Sequence, residues 1–270
     1  MRRHALFALA ALVASSIPAF ADGMDKRSPV MQNFYGPTYS HTIFTGGEVA
    51  RNSWEGYLGT IVALNRDLSK DGVLLRAMGS YGQYDYNFGL AVDGTSRQAD
   101  LMIGYQWVRQ HFNLALYAGV DFIDHDLSPF DINNPAQGRE TGFKVGIDLE
   151  SHRYSGLPYY YALEGTYSTA FDTYFLLGRL GANRGGTIFG VEGWLLGDES
   201  GDAQRLGGFV GFGRELRADL FAEMTFSAGY QFTDDEFAAL CGSFFGGDGA
   251  YAMMNVSFFF GGERHRPLKP

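Results

Sequence analysis

The stretch FNLALYAGVDF, residues 112–122, alternates between apolar side chains and small or polar ones. Successive side chains of a β-strand point to opposite faces, so this stretch predicts a strand with one apolar face and one polar face. The first face would carry Phe112, Leu114, Leu116, Ala118, Val120 and Phe122, and the second Asn113, Ala115, Tyr117, Gly119 and Asp121. Both a soluble sheet and a membrane-spanning strand show such alternation.

The same alternation recurs along the chain, and helical spacing is nearly absent after the N-terminal segment. It defines about twelve candidate strands, near residues 38–46, 53–65, 72–85, 97–108, 112–123, 138–150, 158–169, 172–182, 186–197, 204–213, 220–232 and 250–260. Each is close to the roughly 9–11 residues that a tilted strand needs to cross a bilayer.

Two features favour a membrane barrel over a soluble β-sandwich. Aromatic side chains cluster at strand ends, for example at Tyr105 and Trp107, which fits girdles at the two membrane interfaces. The polar faces alternate small and charged residues, as a water-filled lumen does. We therefore predict an all-β fold, an antiparallel transmembrane β-barrel of about twelve strands, because a closed barrel leaves no unpaired edge in lipid. Leu114, Leu116 and Val120 would then face lipid.

The composition of the 270 residues excludes several other classes of protein. Gly accounts for 37 residues, aromatics for 16% and charged residues for only 19%, which excludes a disordered tail, a coiled coil and a collagen-like repeat. The net charge of −9 argues against a nucleic-acid partner. The single cysteine, Cys241, excludes an internal disulfide and a zinc site built on several thiolates.

Residues 1–21 have the organisation of a cleaved signal peptide. Arg2 and Arg3 precede a short apolar run, and Ala19-Phe20-Ala21 supplies the small residues of a cleavage site. The apolar run is too short to cross a bilayer. We expect an exported protein of a Gram-negative outer membrane. Its parts would be an N-terminal periplasmic segment (22–37), the barrel (38–260) and a C-terminal tail (261–270).

The connections between the candidate strands predict the orientation of the barrel. With both chain ends periplasmic, successive connections lie alternately outside and inside. Those assigned outside, 127–135, 197–204 and 233–249, are acidic, whereas the inside ones are mostly shorter and carry basic residues such as Arg109 and Arg153. Acidic loops and basic turns should therefore occupy opposite rims. The connection at 168–172 does not fit well, because it would be outside yet brief.

No Gly-rich phosphate loop, nucleophile elbow or zinc-binding pair has usable spacing, so we predict no catalytic residue, metal or cofactor. His125, between Asp124 and Asp126, would be a general base in a lipid-modifying barrel or, more simply, a solvated loop residue. The same loop offers oxygen ligands for Ca²⁺, but its spacing matches no EF-hand and favours ordinary loop polarity. The loop candidates are Asp124, His125, Asp126, Asp131 and Asn134.

Six charged residues fall on the polar, lumen-facing sides of their strands, namely Arg76, Lys144, Glu164, Arg179, Glu192 and Glu223. They would either guide a permeant or pair with one another across a narrow barrel. The sequence leaves both alternatives open.

Several stretches resemble the BcsS cellulose-biosynthesis family. They are residues 104–107 (GYQW), 119–122 (GVDF), 124–131 (DHDLSPFD) with Asn134-Pro135 and Gly138, 167–174 (YSTAFDTY), and Asp71-Gly72 with Leu75-Arg76. The resemblance runs from about residue 43 to 260. It implies an outer-membrane barrel associated with bacterial cellulose synthesis and export, and it transfers no catalytic residues.

On this resemblance we expect a non-catalytic export or scaffold component, with membrane lipid, cellulose and other secretion components as partners. A glucan chain is uncharged and ribbon-like, so its path would need polar groups and ring faces. The candidates for that path are Tyr117, Asp121, Phe175, Arg179, Glu192 and Trp194. The alternatives are a general small-solute porin and a barrel enzyme that modifies lipid A.

Overall fold

The structure, a computed structural model, describes residues 38–87, 91–153, 156–233 and 247–261, and within these residues twelve antiparallel strands close into one barrel. The strands are β1 (Tyr39–Ala50), β2 (Ser53–Ala63), β3 (Gly72–Asn87), β4 (Ala91–Val108), β5 (Phe112–Ser128), β6 (Gly138–Ser151), β7 (Tyr159–Ser168), β8 (Tyr174–Arg184), β9 (Thr187–Asp198), β10 (Gly201–Arg217), β11 (Leu220–Thr233) and β12 (Gly249–Gly261). Each strand pairs with its neighbours in sequence, and β1 pairs with β12. The predicted fold class is confirmed.

The two faces of β5 lie as the alternation predicts. Leu116 and Val120 are 43% and 56% exposed on the outer surface, whereas Asp121 is 1% exposed on the inner face. Leu114 shares the outer face with them, and Asn113 lines the interior. A slip of one residue would exchange the two sets, so the register of this strand is strongly specified.

The outer surface carries an apolar belt. Large aliphatic side chains from strands on all sides of the barrel are more than half exposed, among them Leu58, Leu101, Val120, Leu180, Val191 and Leu206. A soluble monomer rarely exposes a contiguous apolar patch of more than a few hundred Å². Aromatic pairs such as Tyr105 and Trp107, with ring centroids 4.9 Å apart, stand near the strand ends. A barrel in lipid has this belt and these girdles.

The two rims of the barrel are distinguished by the chain connections that they carry. Tyr39 pairs with Gly261, so the first and last strands meet at one rim, here called the terminal rim. The connections after β1, β3, β5, β7, β9 and β11 lie at the opposite rim, here called the loop rim. Asp131 lies on the loop rim and Arg153 on the terminal rim. The prediction that these two connections lie at opposite ends of the barrel is therefore confirmed.

Several strands extend further at the loop rim than predicted. β4 begins at Ala91 and β5 ends at Ser128, beyond the expected segments 97–108 and 112–123. The outward positions there are charged, as in the Arg97–Asp124 pair at 3.7 Å. The apolar alternation therefore stops before the hydrogen-bonded ladder does, and the sequence pattern underestimates the strand length.

Of the connections predicted at the loop rim, one differs in the structure and another is as brief as expected. The expected loop 197–204 is wrong, because only Glu199 and Ser200 separate β9 from β10. The carboxylate of Asp198 accepts hydrogen bonds from the backbone N–H and hydroxyl of Ser200, at 2.6 and 2.5 Å, and holds this turn. The brief connection before β8 is a 3₁₀ turn, Ala170–Asp172, whose Ala170 and Phe171 are buried inside the rim.

No helix in the described part of the chain is long and apolar enough to cross a membrane. The predicted signal peptide, the segment 22–37, nearly all of the C-terminal tail and Cys241 lie outside the described residues. Those assignments stay predictions.

Candidate functional site

The barrel interior holds a narrow cavity of about 510 Å³. Its lining reaches from Leu68 and Phe259 near the terminal rim to His125 and Asp198 near the loop rim. The volume lies within the range of about 300–1,000 Å³ found for small-molecule sites, and a wide aqueous pore would need far more. The cavity is therefore suited to a slender occupant.

Glycines on the inner face let aromatic rings lie flat against the barrel wall. A side chain at Gly104 would collide with the ring of Tyr117, one at Gly59 with Phe44, and one at Gly46 with Tyr57. Each ring therefore occupies the space that a neighbouring strand leaves free by lacking a Cβ. This packing accounts for part of the high Gly content, and it keeps the rings beside the cavity.

Glu192 is the centre of a buried hydrogen-bond network. Its carboxylate is 1% exposed and accepts hydrogen bonds from Arg179 (2.9 Å), Trp194 (3.0 Å), Ser227 (2.8 Å) and Tyr251 (2.8 Å). A buried charge is tolerated when its lone pairs are satisfied in this way. Three of the predicted path residues thus belong to one rigid network.

A second network lies on the opposite side of the barrel. Lys144 contacts Asp100 at 2.7 Å and Asp121 at 3.5 Å, and the Gln98 amide donates to both Asp121 oxygens at 3.1 and 2.8 Å. Asp121 is fully buried behind the cavity lining. Its contribution is to hold Lys144 and Gln98 in place.

A third group lies towards the terminal rim. Arg153 contacts Glu150 at 3.2 Å and Glu223 at 3.6 Å, and the Tyr160 hydroxyl donates to Glu150 at 2.8 Å. Of the six predicted lumen charges, Lys144, Arg179, Glu192 and Glu223 therefore form ion pairs. Among the described residues Arg76 and Glu164 take part in no ion pair.

The predicted path residues all face inward, but they do not form a single track. Tyr117, Phe175, Arg179 and Trp194 line the cavity, whereas Asp121 and Glu192 are buried behind the lining. Phe175 and Trp194 lie 5.4 Å apart in the half towards the loop rim. Tyr117 packs with Met102 and Leu74 in the other half.

The three consecutive loop candidates on β5 separate in the structure. Asp124 points outward and contacts Arg139 at 3.1 Å, and Asp126 is exposed on the same face. His125 points inward, and its ring packs edge-on against Phe171 at 5.4 Å. The flanking carboxylates lie on the other face of the strand, and the solvated-loop interpretation of His125 is wrong because the residue is buried on β5.

His125 lies beyond the apolar belt, since its neighbours Asp124 and Asp126 mark the part of β5 that projects past lipid-facing Phe122. Burial lowers the pKa of the His125 imidazole to about 4, and the charge of Asp124 opposes this only in part. The ring is therefore neutral near pH 7 and acts as a packing element of the loop rim.

Asp131 and Asn134 stabilise the connection between β5 and β6. The Asp131 carboxylate accepts hydrogen bonds from the Tyr86 hydroxyl (2.9 Å) and the backbone N–H of Asn133 (3.0 Å), and the Asn134 amide oxygen accepts one from Ala136 N–H (2.9 Å). These oxygens are used within the loop. No group of three or more His, Cys, Asp or Glu residues in the described ranges is arranged to hold a metal ion.

Sequence reasoning missed Arg205, which is 3% exposed and donates to Gln231 at 2.8 Å. Its guanidinium carbon lies 5.8 and 5.2 Å from the ring centroids of Trp194 and Tyr251. Arg205 lies opposite Trp194 in the β9–β10 register, so the parity of strand 204–213 could have placed it inside.

The sequence matches the family model of the cellulose biosynthesis protein BcsS over residues 42–260. No curated relative matches the chain. Among solved structures, the chain is similar to a KdgM porin at 9% identity and TM-score 0.39, covering 82% of this chain and 99% of that chain. It is also similar to the β domain of the Bordetella autotransporter BrkA at 10% identity and TM-score 0.47, covering 83% and 100%.

A third similar structure is outer membrane phospholipase A from Escherichia coli, at 10% identity and TM-score 0.36, covering 83% of this chain and 97% of that chain. The three proteins bear the names of a porin, an autotransporter and a phospholipase. At these sequence identities and TM-scores, the similarity gives no information about function.

Proposed function

Because the chain belongs to the cellulose biosynthesis protein BcsS family, we propose that it is a non-catalytic outer-membrane component of cellulose secretion. The observation that carries the proposal is the narrow, ring-lined cavity that extends between the two rims. The exposed apolar belt supports a location in lipid, and export to the outer membrane follows from the expected signal peptide. On this proposal the barrel contacts a glucan chain or holds secretion components in place.

The chemistry of the cavity suits an uncharged chain. Several interior charges are neutralised by neighbours, as in the Arg179–Glu192 pair, so these groups have little charge left to attract an ionic permeant. The partly exposed Phe175 ring offers apolar surface to the CH face of a sugar, and the buried Trp194 ring packs against it and is held in position by its hydrogen bond to Glu192.

The porin alternative receives less support. A twelve-stranded barrel is intermediate between small barrels filled by side chains and open porins, and here ion pairs cross the lumen. The enzyme alternative would need an exposed reacting centre, but His125 packs between Tyr84 and Phe171 inside the loop rim. We therefore propose that the barrel acts by binding and positioning.

Deletion of the gene, with secreted cellulose as the readout, tests the proposal. We expect the deletion strain to lose much of its surface cellulose and the wild-type gene to restore it. Unchanged cellulose in the deletion strain would overturn the proposal. Solute conductance of the purified protein without any effect on cellulose would favour the porin.

A double variant, Trp194→Ala with Tyr117→Ala, tests whether the interior rings contact the glucan. Its matched control is Val191→Ala with Leu116→Ala, which changes outward neighbours on the same two strands. Heat-modifiable migration on gels reports barrel assembly for both. Lower cellulose in the ring variant alone supports a ring-lined path, whereas unchanged cellulose from an assembled ring variant leaves the scaffold role.

A further inference from the structure

One charged side chain of the interior lacks a charged partner. The Arg76 guanidinium contacts only the sulfur atoms of Met102 and Met78, each at 3.7 Å, and lies 5.8 and 5.9 Å from the ring centroids of Phe44 and Tyr117. No carboxylate among the described residues lies within ion-pair distance of it. Sulfur is a weak acceptor, so most of the five N–H donors stay available.

Two carboxylates near Arg76 are also unpaired. Asp148 on β6 and Glu164 on β7 face each other in register, and both line the cavity. Neither makes a hydrogen bond or an ion pair with another residue in the described part of the chain. The Tyr117 ring lies 5.9 Å from the Arg76 guanidinium, and Tyr117 pairs with Gly146, two residues before Asp148 on β6, so the four groups line the same part of the cavity.

We propose that Arg76, Tyr117, Asp148 and Glu164 form a saccharide subsite that binds a segment of β-1,4-glucan inside the barrel. The ligand class rests on the function proposed above. Carboxylates accept hydrogen bonds from sugar hydroxyls, the guanidinium donates to them, and the buried ring of Tyr117 forms the apolar wall beside them.

The contrast with Glu192 supports this assignment. All four hydrogen bonds to Glu192 come from the protein itself, whereas Asp148 and Glu164 present their oxygens to the cavity. Partly exposed polar groups that face a cavity and have no protein partner are available to a ligand that enters it. A polyhydroxylated chain supplies both donors and acceptors, and a straight ribbon fits a narrow cavity that follows the barrel axis.

A divalent cation fits the same group poorly. Ca²⁺ takes about 6–8 oxygen ligands, and Arg76 places a positive charge beside the two available carboxylates. One guanidinium donor, two carboxyl acceptors and a ring together suit a neutral ligand that both donates and accepts hydrogen bonds.

The test is calorimetric titration of the purified full-length barrel in detergent with cellotetraose, and with maltotetraose and Ca²⁺ as comparison ligands. We expect cellotetraose to bind and maltotetraose, whose chain curls, to bind at least about tenfold more weakly. The isosteric double variant Asp148→Asn with Glu164→Gln should lose about tenfold in cellotetraose affinity, because each amide replaces one acceptor oxygen by an NH2 donor. Glu199→Gln, an exposed loop-rim carboxylate, is the matched control and should bind like the wild type.

Three results would overturn the subsite: no cellotetraose binding by the wild type, equal binding of both sugars, or Ca²⁺ binding in place of sugar. Unchanged affinity in the double variant would overturn the assignment of these carboxylates. If that variant fails to assemble, Arg76→Met, which removes the guanidinium donors and keeps an apolar side chain beside Met78 and Met102, replaces it and should weaken binding. A deletion strain that loses cellulose while the purified barrel binds no sugar would refute the subsite and leave the proposed function standing.

Discussion

Arg205 on β10 donates two hydrogen bonds, of 2.7 and 2.8 Å, to the carboxylate of Glu48 on β1, although β11 and β12 lie between these strands in the sheet. The pair therefore connects separate parts of the barrel wall through the interior. Its bidentate geometry and burial make it unlike an exposed surface ion pair, which contributes little to stability.

Removal of one partner of this pair should destabilise the barrel much more than removal of both. Arg205→Met leaves Glu48 without its buried counter-charge, so we expect the free energy of unfolding to fall by about 3–5 kcal/mol. The double variant Arg205→Met with Glu48→Met should recover most of that loss. Urea unfolding of the refolded barrel in lipid vesicles measures both, and Arg97→Met, at an exposed rim pair, should change stability by less than about 1 kcal/mol. Equal losses in the single and double variants would contradict the explanation.

Gly104 should tolerate no side chain. A Cβ at Gly104 would meet the Tyr117 ring and the Leu116 carbonyl, so Gly104→Ala must displace the ring or the strand. We expect it to lower the free energy of unfolding by about 1–3 kcal/mol, the usual cost of overpacking. Gly178→Ala is the control, because nothing lies within 4 Å of a Cβ built there. A similar loss in both variants would point to strand flexibility and not to the ring.

The alternation of single strands predicts the two faces of each strand, and the aromatic girdles and polar faces then favour the barrel over a sandwich. Side chains of a strand repeat with period two, so residues 112–122 place Val120 and Asp121 on opposite faces, and the barrel assigns Val120 to lipid and Asp121 to the interior. The predicted strand ends were less accurate at the loop rim. The turns there are set by hydrogen bonds between nearby residues, such as the one that the Ser200 N–H donates to the Asp198 carboxylate. The hydropathy pattern does not reveal these bonds.

The pairing inside the lumen could not be predicted in the same way. Parity places Arg76, Arg179 and Arg205 in the interior, but their partners depend on strand stagger and on the curvature of the closed barrel. Arg179 meets Glu192 on the adjacent strand, Arg205 meets Glu48 across three strand positions, and Arg76 meets no carboxylate. Only the closed structure distinguishes these three outcomes.

Asp131 should stabilise the β5–β6 connection without help from a metal ion. Asp131→Ala removes the acceptor for Tyr86 and Asn133, and we expect faster proteolysis of this loop and a loss of about 1–3 kcal/mol in its local stability. EDTA should leave the wild type unchanged, because the loop oxygens are already hydrogen-bonded. Limited proteolysis with and without EDTA checks both statements, and protection that depends on Ca²⁺ would revive the metal hypothesis.

Closure of the loop rim should weaken in acid because of His125. The imidazole packs against Phe171 of the 3₁₀ turn, and burial lowers its pKa to about 4, whereas an exposed histidine titrates near 6.5. Between these two values the opened state binds a proton that the closed state excludes. The closed rim is therefore fully stable above about pH 6.5 and becomes progressively less stable as the pH falls towards 4.

Hydrogen–deuterium exchange of the peptide that spans residues 168–173 measures this closure at pH 7 and pH 5, after correction for intrinsic exchange rates. The wild type should lose protection at pH 5, whereas His125→Phe, which keeps a neutral ring in the same place, should not. Asp198 also titrates nearby, because burial raises its pKa to about 6, but its protonation acts in the opposite direction and is common to both proteins. The same acid-induced loss in His125→Phe would show that another group loosens the rim.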